Sequence, residues 1–305
     1  GSEYLHSAIE SVLNQSYKNI ELIIVIDTPN VTTSKIIDNL CDPRVKVFHV
    51  CLSNISKSLN YGIFYASGEF IARIDDDDLY ELSKIEKQVV KFANDTSISM
   101  LTTDYFVIDI NGVNKYLKKF DSEHKTLATT LSAFNPICHS SVMIRKSHLT
   151  QLKYVYDENK NGVEDFELWQ RMILEGLKIC NVSEPLTFYR NHIDQTTSRN
   201  KELIESKKFS LCREYIKNLD EKRIFDEIDI RFSNFLNYYY NGFPLNALNL
   251  LFLNIYYSRL KDRRYYRYFF IVIIKLFLPM IIRQRLMNYL SVWFKKKFNK
   301  DFHSV

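Results

Sequence analysis

Apolar residues recur at helical spacing from Tyr4 to Leu13, where Leu5, Ala8, Ile9, Val12 and Leu13 fall on one face. Ile20–Asp27 is then a continuous apolar run closed by an acid, the pattern of a strand covered on both sides. The same reading predicts a helix over Ser34–Leu40, a strand over Val45–Val50, a helix over Ser56–Ala66 and a turn at Ser67-Gly68. A further strand begins at Phe70 and runs to Ile74. Strand and helix alternating in this rhythm imply right-handed crossovers and an α/β fold, a mostly parallel sheet with helices on both faces.

Glu81–Phe92 carries Leu82, Ile85, Val89 and Phe92 on one side of a predicted helix. Ile98–Ile110 is strand-like and meets Asn111-Gly112, a hairpin signal. A helix is predicted over Lys125–Phe134, and Asn135–Arg145 is expected to be a loop entering a strand. Val163–Glu175 reads as a helix whose first turn holds Glu164 and Asp165, where acids commonly complement the helix dipole. Leu177–Tyr189 is extended and delivers Arg190 and His192 to the following loop, so a first domain is expected over residues 1–200.

Residues 201–305 change character, with aromatic and basic residues dominating a mainly helical pattern. Between Arg259 and Lys300 twelve basic residues face one acid, a net +11 that leaves −6 for the rest of a chain whose formal total is +5. Phe269–Ile282 contains Lys275 and Pro279 and is too short to span a bilayer, which takes about 20 apolar residues. Apolar residues interleaved with Lys and Arg fit a helix lying on an anionic membrane surface. A homodimer or packing surface is the alternative, and no nucleic-acid-binding motif accompanies the charge. The five cysteines are scattered without a Cys-x-x-Cys pair, which argues against a disulfide scaffold or zinc site and for a reducing compartment.

The candidate chemistry starts at Asp75-Asp76-Asp77-Asp78, four acids directly after the strand from Phe70. Carboxylates this close need a counter-charge to stay ionised together. If the chain stays extended there, Asp75 and Asp77 face one way and Asp76 and Asp78 the other. A solvated acidic loop is the plain alternative, but open α/β sheets bind ligands at strand ends. Oxygen ligands there suit Mg2+ or Mn2+, which could grip a diphosphate.

Three segments together resemble the family 2 glycosyltransferases of the GT-A fold, of the bacterial capsule and O-antigen type: Tyr4–Gln15 leading into Glu21–Asp27; Leu59–Ile63 with Ala66–Asp78; and Val163–Trp169, preceded by Asn135–Arg145 and followed by Tyr189–His192. The resemblance covers residues 1–200 and implies an inverting transferase that moves a sugar from a nucleoside-diphosphate donor, a UDP-sugar, to a glycan or lipid-linked acceptor. It implies a metal at Asp77 with His192 near it, Asp75 towards the ribose, and Asp27 and Asn60 lining the nucleotide pocket. It also implies Arg190 near the diphosphate and Asp165 as catalytic base. Ile26 stands where the family usually carries the first of two acids. His139 could shape the acceptor site, and core packing is the simpler role for Trp169.

The family normally opens with a strand ahead of the Tyr4 turn, lying mid-sheet and touching the nucleotide, and this chain starts inside that turn. The resemblance implies a location at the cytoplasmic face of the plasma membrane. A non-catalytic relative binding glycan or a partner enzyme is the competing reading. A different metal-dependent α/β enzyme, such as a nucleotidyltransferase or phosphohydrolase, is a third. No P-loop is present, which argues against kinases and ATPases.

Overall fold

The computed structural model describes residues 3–28, 31–120, 124–152, 155–193, 195, 201–224 and 237. The chain divides into two compact units, residues 1–131 with 135–211 and residues 132–134 with 212–305. The basic stretch from Arg259 to Lys300, with its membrane-surface expectation and dimer alternative, lies outside the described residues. No helix among the described residues is long and apolar enough to cross a membrane.

The first unit opens with α1 (Leu5–Leu13), which buries Leu5, Ala8, Ile9 and Val12, the face that the spacing predicts. β1 (Leu22–Asp27), α2 (Val31–Asp38), β2 (Val45–Val50) and α3 (Ile55–Tyr65) follow. Asn54 caps α3, its side chain accepting the Lys57 N–H at 3.1 Å. Gly62 lies where α3 crosses β1, and a Cβ there would come within 3.3 Å of Val25. β3 (Phe70–Ala72) and β4 (Leu79–Tyr80) lead to α4 (Lys84–Asn94) and the long β5 (Ile98–Ile108). β6 (Asn114–Lys118) returns through the Asn111-Gly112 turn, with Gly112 at φ 80°.

α5 (His124–Thr130) is shorter than its pattern predicts, because the chain leaves the helix ahead of Asn135-Pro136, where a residue before proline resists helical geometry. A 3-10 turn at His139–Ser141 then enters β7 (Met143–Arg145) and α6 (Lys146–Leu149). α7 (Glu164–Leu174), β8 (Lys178–Arg190) and α8 (Lys201–Glu221) complete the described elements.

The strands form two sheets. β1 and β2 pair parallel, and the larger sheet has the order β3-β7-β5-β8-β4 with β6 also on β5. β5 and β8 pair parallel over most of their length. β3–β7, β5–β7, β4–β8 and β5–β6 are antiparallel. The α/β class stands, but the expected mostly parallel sheet is corrected to a mixed one. The antiparallel neighbours are the shorter strands: β6 returns through a hairpin, β7 follows α5 by way of the 3-10 turn, and β4 follows β3 across the acid turn.

Among the described residues β1 pairs with β2 alone and β3 with β7 alone. Between their other edges lies a cavity of about 830 Å³, bordered by every residue from Asn19 to Thr28 and from Ala66 to Asp76. α1 and α3 also line it, through Leu5, Ala8, Ile9 and Val12 on one helix and Ser58, Leu59, Gly62 and Ile63 on the other. Glu21 spans it at one end, accepting the Ser67 and Gly68 N–H groups at 2.6 and 3.0 Å and the Lys46 ammonium at 2.6 Å.

Two outcomes follow from the open edges and their bridge. Leu22 N–H bonds to Arg44 on the β2 side, so the alternate amides of Ile23, Val25 and Asp27 point into the gap. Hydrogen exchange should be faster there than at Ile24 and Ile26. Burial pushes the Glu21 carboxyl up, but hydrogen bonds from Lys46, Ser67 and Gly68 bring it down to about 2. A depressed carboxylate stabilises the fold above its ordinary value of 4.5 and loses that contribution as pH falls towards about 2. Glu21→Gln should therefore cost about 1–2 kcal/mol at neutral pH. Urea unfolding across this acid range should show the gap between variant and parent closing.

Candidate functional site

The acids after β3 do not stay extended. The chain turns at Asp76 and Asp77, with the Asp78 N–H reaching the Asp75 carbonyl at 3.3 Å. That turn corrects the alternation expected from a strand: Asp75, Asp77 and Asp78 converge, each offering an oxygen within 4.8 Å of the others. Asp76 is the exposed member of the four. Among the described residues this is the cluster of acids suited to a cation.

Each acid has its own partners. Arg73 donates from both terminal nitrogens to the two oxygens of Asp75, and Ser140 Oγ accepts the Asp75 N–H at 2.9 Å. Asp77 Oδ2 lies 2.9 Å from His192 Nε2. Asp78 is fully buried; its Oδ1 accepts the Arg190 N–H at 2.8 Å, while its Oδ2 has no hydrogen-bond partner. Burial and the neighbouring Asp75 and Asp77 charges push the Asp78 carboxyl well up. A buried carboxylate oxygen without a donor, beside two other acids and an imidazole, fits a hard divalent cation as its missing partner. Asp75, Asp77, Asp78 and His192 are the residues able to hold one.

β8 brings Arg190 to this turn. Its guanidinium donates to the carbonyls of Asp77, Asp109 and Ile110 at 2.8, 3.0 and 3.1 Å, and stacks on the Tyr4 ring with 4.2 Å to the centroid. Arg190 is buried and committed to carbonyls, so in this structure it braces the acid turn instead of facing a phosphate. Tyr4 also packs against the His192 ring, with centroids 5.8 Å apart.

Asp27 and Asn60 are likewise engaged by the protein. The Asp27 carboxylate accepts the Leu52 and Asn54 N–H groups at 2.9 and 3.3 Å and the Ser58 hydroxyl at 3.1 Å. Burial alone would push it up; these donors and the Ser53 N–H hold it below the usual range. The Asn60 amide clamps Tyr156, accepting its N–H and donating to its carbonyl, both at 2.9 Å. Both side chains border the loops around the site, with their hydrogen-bonding atoms directed at backbone.

Asp165 sits in the first turn of α7, accepting its neighbour Phe166 N–H at 2.7 Å and the Asn135 amide at 2.8 Å. Burial pushes both Asp165 and Glu164 up, and Glu164 accepts the Gly162 N–H at 2.6 Å. Tyr156 connects this end to the acid turn: its ring borders the cavity with Asp75 and Asp76, and its hydroxyl meets His139 Nε2 at 2.7 Å. The charges of Asp165, Glu164, Arg73 and Asp75 all act on that phenol. Trp169 is fully buried beside His139, with ring centroids 5.8 Å apart, which agrees with a packing role.

Arg73, Ser140, Tyr156 and Tyr4 escaped the sequence reading. Only Arg73 carried a signal, as the single cation in the run from Phe70 to Asp78. The others are common polar or aromatic residues whose partners are distant in sequence.

The family model "Glycosyl transferase family 2" matches residues 2–151. EpsE of Bacillus subtilis is 30% identical over 203 residues, spanning 64% of this chain and 71% of EpsE. WfaP of Escherichia coli, a UDP-Glc:alpha-D-GlcNAc-diphosphoundecaprenol beta-1,3-glucosyltransferase, is 27% identical over 209 residues, 66% of this chain and 77% of WfaP. For several further glycosyltransferases the chain spans 63–66% of their own length. Among solved structures, S. aureus TarS in complex with UDP-GlcNAc superposes with a TM-score of 0.61 at 17% identity, covering 82% of this chain and 77% of the TarS chain. That likeness is one of fold.

Proposed function

The chain belongs to glycosyl transferase family 2, and from that premise we propose that it transfers a sugar from a nucleoside-diphosphate donor, a UDP-sugar, to a hydroxyl of a glycan or lipid-linked acceptor, with inversion, in surface-polysaccharide synthesis. The observation that carries this reading is the acid turn at the end of β3, where Asp75, Asp77 and Asp78 converge around a buried Asp78 oxygen without a hydrogen-bond partner, together with the Asn135-anchored Asp165 at the start of α7. The name of WfaP, a relative that joins a UDP-sugar to a diphosphoundecaprenol-linked acceptor, supports the substrate class. A place at the membrane surface suits a lipid-linked acceptor.

A sugar hydroxyl is a weak nucleophile and needs a base beside it. Asp165 takes that role: its Oδ1 is occupied by the Phe166 N–H and its Oδ2 by Asn135, an arrangement that fixes the rotamer while lone pairs remain for an acceptor proton. Asn135 orients the carboxylate and His139 with Tyr156 forms the adjoining wall. At the donor end, Asp77, Asp78 and His192 would hold a divalent metal, Mn2+ or Mg2+, with Asp75 towards the ribose. When bound, the metal supplies positive charge to the departing diphosphate. Arg190 contributes by holding the acid turn in register.

A non-catalytic relative would lack turnover while retaining the fold. Asp165→Asn should lower turnover of a nucleotide sugar by about 10²–10⁴-fold while leaving nucleotide affinity near that of the parent. Asp77→Asn should instead abolish Mn2+ binding in a calorimetric titration. Parent-like turnover in Asp165→Asn would reject the base assignment, and Mn2+ binding that survives Asp77→Asn would reject the metal assignment. The Asp165 carboxyl is raised by burial, so activity should fall as pH drops through a value above the ordinary 3.8.

A further inference from the structure

The acids that converge at the end of β3 need a positive charge to stay ionised together. Arg73 supplies one. It follows β3 directly, its side chain is 12% exposed, and its Nε is buried without a hydrogen-bond partner. Its two terminal nitrogens form a fork on the two oxygens of Asp75, a geometry that a guanidinium offers and an ammonium does not. Ser140 completes the clamp, accepting the Asp75 N–H at 2.9 Å and lying 3.3 Å from Asp75 Oδ2. Arg73 is itself fixed, its carbonyl accepting the Tyr80 hydroxyl at 2.6 Å.

We propose that Arg73 is a positioning residue of the donor end: its fork, with Ser140 beside it, fixes the Asp75 carboxylate and with it the acid turn that carries Asp77 and Asp78. The proposal rests on the donor-end role given above to that turn. The fork uses a lone pair on each Asp75 oxygen, so Asp75 can present only its outward lone pairs to a ribose or cation. A lysine would keep the charge and lose the fork; a glutamine would lose both.

The test compares Arg73→Gln, Arg73→Lys, Ser140→Ala and Asp165→Asn in the full chain. The readouts are kcat and donor KM, Mn2+ affinity measured by electron paramagnetic resonance without substrate, and Tm. Arg73→Gln should change Mn2+ affinity by about tenfold. Arg73→Lys should lower donor kcat/KM by about tenfold. Ser140→Ala should also lower donor kcat/KM. A purely structural Arg73 would lower Tm and leave the Mn2+ affinity and turnover per folded molecule as in the parent, and that result overturns the proposal. If Arg73→Gln does not fold, parent-like donor kcat/KM in both Arg73→Lys and Ser140→Ala overturns it. Asp165→Asn separates the failures: full turnover there sinks the base reading, whereas lost turnover there, with parent-like Mn2+ affinity and donor kcat/KM in the Arg73 variants, sinks the role of Arg73 alone.

Discussion

Three carboxylates can share one turn only when donors elsewhere in the fold are aimed at them, and the architecture of the first unit supplies those donors. Arg73 and Ser140 answer Asp75, His192 answers Asp77, and the Arg190 N–H answers half of Asp78. The unanswered Asp78 oxygen is what makes the turn a candidate cation site and not merely a well-capped loop. Such a group is costly to bury alone, so its persistence argues for a ligand that completes it.

The long parallel pair of β5 and β8 makes this arrangement possible. β8 runs from Lys178 to Arg190 beside β5, and its last residue reaches back to Asp77 and across to Asp109 and Ile110. The antiparallel contact of β8 with β4, just beyond the acid turn, fixes the other side. One strand end therefore sets the position of the acids, of His192 and of Tyr4 together. A guanidinium shared among carbonyls does this well, because its donors are planar and rigid.

The edge of β1 is organised differently. It pairs with β2 alone, and the cavity between it and β3 is crossed at its start by Glu21, whose carboxylate gathers two backbone N–H groups and an ammonium. At the other end Asp27 gathers the backbone of the Leu52–Asn54 loop. Acids at both ends of one strand thus hold the loops in place around an open edge. The apolar faces of α1 and α3 line the same cavity, so the sheet and its covering helices are already arranged for a continuous core.

Local pattern determined the elements: helical spacing marked α1 and α4, a continuous apolar run marked β1, and Asn111-Gly112 marked its hairpin. It also located both groups of acids, because a run of Asp after a strand and a Glu-Asp pair opening a helix are visible without any partner. Beyond that hairpin strand direction was not legible, since β7 and β4 pair through contacts that periodicity does not encode. Nor were the partners of the acids. The sequence separations from Asp75 to Ser140, Asp78 to Arg190 and Asp77 to His192 are 65, 112 and 115 residues. A hydrogen bond across such distances depends on how strands and loops pack, and only the tertiary structure decides that Arg190 braces the turn, that Asn60 holds Tyr156, and that Ser140 joins Arg73 at Asp75.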